Sequence, residues 1–262
     1  MSPLQRILIE KTGNDNGFEY VLASEISGVS LASARHPNHA FIDIHNGVYH
    51  VRFLTTSQTL VAELQRSFPL AKVESSGFSL SSEAHLAALL RRAARLSRAL
   101  PSQAASDYQK AVSAELAALP AGIVGTEVER LVRQRVGQAK FRDAMLDYWD
   151  NACAVTGVAV PEVLRASHAK PWAECTTDAE RLDVFNGFLL NANLDALFDR
   201  FLISFDEQGA LLIGSSLSEQ DLIRLGITPN MALRSITHHH QEYLSFHRAR
   251  FISLNQVTKA GG

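Results

Sequence analysis

Between Val163 and Arg200 the chain alternates in a way that leaves few folds open. VLRAS reads as a short strand that delivers His168 at its end, Pro171 stops further pairing, and a long loop leads to Asn186. GFLL returns as a second strand, and Asn191 or Asn193 can cap a helix through LDALFDR. Strand, loop, strand and helix form a compact ββα unit that aims one imidazole and the first turn of one helix at a common point. Asp195 and Asp199 stand four residues apart on that helix, so both carboxylates share a face and suit a hard cation held through oxygen. Each residue also has an ordinary reading. Asp195 in a first turn answers the helix dipole, Asp199 pairs with Arg165, Arg181 or Arg200, and Asn186 before Gly187 is turn chemistry.

The 262 residues exceed one typical domain and predict an α+β chain in two parts joined by helix. Residues 1–80 read as a β-rich module with strands at RILIEK, FEYVLAS, VSLASA and HAFIDIHNGVYHVRFLT, the last turning at Asn46-Gly47. A helix capped by Ser57 follows and ends before Pro69. Residues 81–122, rich in Ala, Leu and Arg with Pro101 and Pro120 as punctuation, read as a helical connector. Residues 123–256 form the second module, entered by a helix over EVERLVRQRVGQAKFRDAMLDYW.

Composition adds exclusions. A net charge of -2 and a pI near 6.6 supply no global basic field, so bulk polyanions would be held weakly. Two cysteines, Cys153 and Cys175, make neither a disulfide framework nor a four-cysteine zinc site, which fits a reduced, cytoplasmic setting. No apolar run approaches the roughly 20 residues of a membrane span, and the opening residues lack the regions of a signal peptide, so no membrane partner is expected. His36, His39, His45 and His50 lack a cysteine or paired carboxylate to complete a ligand set and read as surface residues. Arg91, Arg95 and Arg98 share one helix face, read as a solvated stripe ahead of a phosphate track.

CAVTG, LRASHAKPW and NGFLLNANLDALFDR together resemble the HNH endonuclease family, in the branch with S/A-H-x-K-P-W and N-G-x-L-L…L-F-D stretches. VGQAKFRDAMLDYW upstream, with Gly137, Gln138, Phe141 and Arg142, resembles the preceding helix, and HQEYLSFHRARF the closing one, so the likeness runs over about residues 125–251. It implies a ββα-metal nuclease cutting DNA to a 5′ phosphate and a 3′ hydroxyl. His168 would be the general base and Asn186 the brace of its loop. Asp195, nine residues after Asn186, would ligate the ion, where many relatives carry His or Asn. A carboxylate there implies one Mg²⁺ or Mn²⁺, and the absence of paired CxxC motifs argues against a structural zinc.

Departures from the family pattern matter. Ser167 stands where many members place Asp or His as a second metal ligand, so the set would rest on Asp195, Asp199 and Ser167, with His239 or His247 as possible outer support. Phe201 stands where relatives often have Gly. The run His238, His239, His240 points at most one ring inward. DNA contacts are expected from Arg135, Gln138, Lys140, Arg142 and Lys170, against salt bridges with Asp143 and Asp147 as the ordinary reading. The expected activity is metal-dependent DNA cleavage in restriction or phage defence, by a homodimer if both strands are cut. The alternative is a silent DNA-binding or regulatory protein on the same scaffold.

Overall fold

The computed structural model describes residues 1–55, 57–74, 77–120 and 125–257. They form two compact units, Met1–Gln103 and Ala104–Gly262. The fold is mixed α+β, with the ββα unit in the second.

In the first unit, helix α1 (Pro3–Asp15) precedes strands β1 (Tyr20–Ser24), β2 (Val29–Ala32), β3 (His39–His45) and β4 (Val48–Leu54). Helix α2 (Gln58–Ser67), strands β5 (Lys72–Glu74) and β6 (Gly77–Leu80), and helix α3 (Glu83–Ala99) complete it. The antiparallel sheet has the order β1-β2-β3-β4-β6-β5. Asn46 and Gly47 both adopt positive φ, 50° and 77°, which a two-residue hairpin needs to match strand twist.

RILIEK is a correction. It lies inside α1, because Ser2 accepts the Gln5 backbone N–H while the Gln5 side chain accepts the Ser2 N–H, a reciprocal cap reinforced by Pro3 at the first helical position. That start signal outweighs the β-branched run that follows. His36 is a second correction: it is 3% exposed, with Nε2 against the Gly17 carbonyl and its pKa lowered by burial.

The stretch expected as a connector holds two helices, α3 and α4 (Pro101–Ala117), and the unit boundary falls inside it. Leu86, Leu89, Leu90, Ala93 and Leu96 of α3 are fully buried, at helical spacing, and α3 meets α1, α2 and β6. Each such leucine contributes roughly 1.5–3 kcal/mol of apolar burial, so α3 is part of the first unit's core. Arg91 on its outer face donates to the Asn16 side chain. The expected boundary at 122/123 lies outside the described residues.

The second unit continues with α5 (Thr126–Tyr148), β7 (Leu164–His168), α6 (Asp178–Leu182), β8 (Gly187–Asn191) and α7 (Ala192–Phe198). The hairpin strands β9 (Ile203–Phe205) and β10 (Leu211–Ile213), then α8 (Glu219–Leu225) and α9 (His238–Val257), close it. β7 and β8 pair antiparallel from Leu164↔Asn191 to His168↔Gly187. The pair is flanked by α5 and α7, and α9 packs on β8 and β9. The α5 face at Val136, Gly137, Phe141, Ala144, Met145 and Tyr148 is buried. Among the described residues no helix is long and apolar enough to cross a membrane.

Candidate active site

Asn191 links the ladder to the helix. It ends β8 opposite Leu164, and its side chain accepts the Leu194 N–H at 3.0 Å, capping α7. The cap fixes where Asp195 leaves the first turn. Ser167, opposite Phe188 in the ladder and 1% exposed, donates its hydroxyl to Asp195 Oδ1 at 2.5 Å. β7 thereby orients the carboxylate of α7.

His168 closes β7. Its Nε2 lies 2.9 Å from the Arg181 carbonyl, and a carbonyl only accepts, so the ring proton sits on Nε2. Nδ1 is left with a lone pair and no hydrogen-bond partner among the described residues. The ring stacks on Phe141 at 3.8 Å and meets Trp172 edge-on at 5.7 Å. Burial pushes its pKa down to about 4, so the imidazole is neutral at pH 7.

The loop between the two strands hangs on Asn186, which is fully buried. Its Oδ1 accepts the Lys170 N–H at 2.8 Å, and its Nδ2 donates to the Glu180 carbonyl at 2.9 Å and the Lys170 carbonyl at 3.3 Å. Two glycines make this assembly possible. A Cβ on Gly187 would stand 2.0 Å from the Ser167 carbonyl oxygen, and one on Gly137 would stand 2.2 Å from the Trp172 ring. Either methyl would push apart the elements that hold His168.

His168 faces a cavity of about 520 Å³ whose walls also include Asp195, Asp199, Gln138, Arg142, Arg165, Trp172, Phe201 and His247. Asp199 caps α7 at its C-terminal end and forms no ion pair among the described residues. Neighbouring protein atoms, then the Asp195 carboxylate, raise its pKa to about 6 against the pull of Arg200. Two like charges thus crowd one side of the cavity, an arrangement a cation would relieve.

The implied divalent ion can be tested against this donor set. Among the described residues no group of three or more His, Cys, Asp or Glu is placed to hold a metal. Two carboxylates on one helix still fit a hard ion of the Mg²⁺ type, which keeps several waters and takes further oxygens from a substrate phosphate.

The remaining candidates separate. His247 lines the cavity, but both nitrogens are engaged, Nε2 with the Phe198 carbonyl at 3.0 Å and Nδ1 with the Ser204 hydroxyl at 2.9 Å. His239 is exposed beside Phe185 and lies away from the cavity walls; of the three consecutive histidines His240 is the buried one. Ser167 turns its hydroxyl to Asp195 and is not a wall residue. Arg142 lines the cavity while its guanidinium donates to the Leu164 and Pro161 carbonyls at 2.7 and 2.8 Å, clamping the entry to β7. Lys170 pairs with Glu180 at 3.0 Å, and Arg135 pairs with Glu115. Gln138 is exposed at the cavity, and Lys140 is half-buried on α5. Arg165, considered in the sequence only as an ion-pair partner, is a wall residue, with Nη1 donating to the Glu162 and Leu164 carbonyls. Its place at the second position of β7 was the available signal.

Two histidines set a pH dependence. His168 and His247 both have folded pKa values lowered to about 4 by burial, against roughly 6.5 unfolded. Between those values the unfolded chain binds more protons, so stability is lost as pH falls from 6.5 toward 4, by roughly 3 kcal/mol for each at pH 4. Asp199 works the other way, since its raised pKa lets the folded state take up a proton below pH 6. Urea midpoints at pH 7 and pH 4.5 should fall steeply for the wild type and less for His247→Gln; equal falls would refute the assignment to His247.

No curated protein matches the chain. The HNH endonuclease family profile matches residues 153–206. The flanking helices α5 and α9, likened to the same family from their residues, lie outside the matched stretch. The matched stretch, residues 153–206, is the one that holds His168, Asn186, Asp195 and Asp199, and it is similar to the HNH endonuclease family.

Proposed function

We propose that the second unit is a divalent-metal-dependent DNA endonuclease with His168 as general base. The observation that carries this reading is one cavity containing a neutral imidazole, tied by Nε2 to a carbonyl, together with two carboxylates from a single helix. In this reading His168 Nδ1 takes the proton of the attacking water as phosphorus is approached. Asp195 and Asp199 would hold a Mg²⁺ or Mn²⁺ ion, which supplies stabilisation of the developing phosphorane charge and of the leaving 3′ oxygen. Ser167 acts through Asp195, fixing its rotamer, and Asn186 fixes the loop that starts at His168. Gln138 and Lys140 remain for backbone phosphates, because Arg142, Arg165, Lys170 and Arg135 have intramolecular partners. Products are a 5′ phosphate and a 3′ hydroxyl. One cavity cuts one strand, so double-strand cleavage takes a homodimer. Restriction or phage defence is the setting proposed, with the first unit supplying recognition or control.

A second reading, a silent DNA-binding protein, draws on Ser167 at the position where relatives carry a ligand. The two readings part on metal dependence. Cleavage of a labelled oligonucleotide should require Mg²⁺ or Mn²⁺ and stop on addition of a chelator. Asp195→Asn and Asp199→Asn should each raise the metal concentration for half-maximal rate by roughly 10- to 100-fold. Cleavage that persists in chelator would sink the proposal, and salt-sensitive binding without cleavage would favour the second reading.

A further inference from the structure

Phe201 stands at the cavity wall in a backbone conformation that suits glycine. Its φ is 55°, and the turn around it explains why. Phe201 N–H donates to the Phe198 carbonyl and Leu202 N–H to the Leu197 carbonyl, both at 2.9 Å, the paired bonds that end α7 with one left-handed residue. Glycine occupies that position without strain, whereas a bulky residue does not. What the ring does must therefore offset what the backbone loses.

The ring is half-buried and firmly backed. It lies 4.7 Å from His247, which itself stacks on Phe198 at 3.7 Å, and the Arg250 guanidinium sits 5.5 Å from its centroid. It shares the cavity with His168, Asp195 and Asp199. The Arg250 guanidinium over the ring is already paired with Glu174 at 2.8 Å, so what the ring offers is a rigid aromatic surface at the edge of a site for a phosphodiester, the chemistry that holds nucleotides by stacking.

Resting on the nuclease reading above, we propose that Phe201 is a substrate-contacting platform that stacks on a base next to the scissile phosphate. Inside a continuous duplex both faces of each base are covered by its neighbours. A ring reaches a base face only where the stack is open, in a single strand, a bulge, a mismatch or an end. The substrate class that follows is DNA with an unstacked base at the cleavage position.

The test compares the full-length wild type with Phe201→Gly, Phe201→Leu and Phe201→Tyr on a single-stranded oligonucleotide and on the matching perfect duplex. The single strand carries 2-aminopurine at the base beside the cleaved bond, and binding is read in a His168→Ala background. The wild type is expected to favour the single strand by about tenfold in kcat/KM and to change the 2-aminopurine fluorescence on binding. Phe201→Gly and Phe201→Leu should lose the fluorescence change and raise KM about tenfold with kcat held, and Phe201→Tyr should retain both. Leucine keeps apolar bulk against His247 without a flat ring, so a purely structural role would leave its KM and fluorescence unmoved. If both variants match the wild type while cleavage continues, the stacking proposal is overturned and the nuclease reading stands. If the wild type neither binds nor cleaves either DNA, both fall.

Discussion

Asn186→Ala is expected to lower the stability of the second unit by about 3–5 kcal/mol and to abolish cleavage with it. The side chain is fully buried and makes hydrogen bonds to the Lys170 N–H and to the Lys170 and Glu180 carbonyls. Alanine takes the partner from the Lys170 N–H and the Glu180 carbonyl and leaves the Lys170 carbonyl only the Cys175 thiol, and each unsatisfied buried group costs about 1–3 kcal/mol. The damage is local before it is global. The loop spans from His168 to Asn186, and His168 Nε2 is itself held by the Arg181 carbonyl in that loop. Urea unfolding and limited proteolysis between residues 169 and 186 measure the two effects. A loss below about 1 kcal/mol with an intact loop would mean that Asn186 does not brace it.

His168→Ala should reduce the single-turnover cleavage rate by about 10²- to 10⁴-fold, the contribution of a well-placed general base, while DNA affinity stays close to wild type. The wild-type rate should also keep its neutral base well below the ordinary histidine range. With the pKa near 4, the acid limb of the pH–rate profile attributable to His168 falls below pH 5 instead of near 6.5. The alanine variant removes a ring stacked on Phe141 at 3.8 Å, so circular dichroism accompanies the kinetics. A folded variant that cleaves at more than a tenth of the wild-type rate would remove His168 from the chemistry.

How far these features can be read from sequence depends on how local their causes are. The ββα unit was legible because its signals are adjacent: alternation in LRASH, Pro171 as a stop, and Asn191 as the cap. Asn191 could be separated from Asn193 only by geometry, since both precede the apolar helix positions. RILIEK misleads for the opposite reason: the deciding residues Ser2, Pro3 and Gln5 lie almost outside the apolar run. The core role of α3 was hidden, because an Ala-, Leu- and Arg-rich stretch looks alike whether its apolar face meets a sheet or spans a gap. His168, Asn186, Asp195 and Asp199 could be put forward as candidates from the sequence, and the structure adds where each is held. What stayed illegible depends on distant partners. Ser204 engages His247 from 43 residues away, Arg142 clamps carbonyls of residues 161 and 164, and Glu115 takes Arg135. The left-handed backbone of Phe201 shows only as a departure from the glycine of relatives, and its place at the cavity wall only in three dimensions.

The central claim is that His168 and a metal held by Asp195 and Asp199 cleave DNA. Nicking of supercoiled plasmid in Mg²⁺ or Mn²⁺ by the wild type and by His168→Ala, purified side by side, tests it most directly. The account predicts open-circular product from the wild type, none in chelator, and none above background from the variant. Equal nicking by the two proteins, or no nicking by the wild type with either metal, would contradict it.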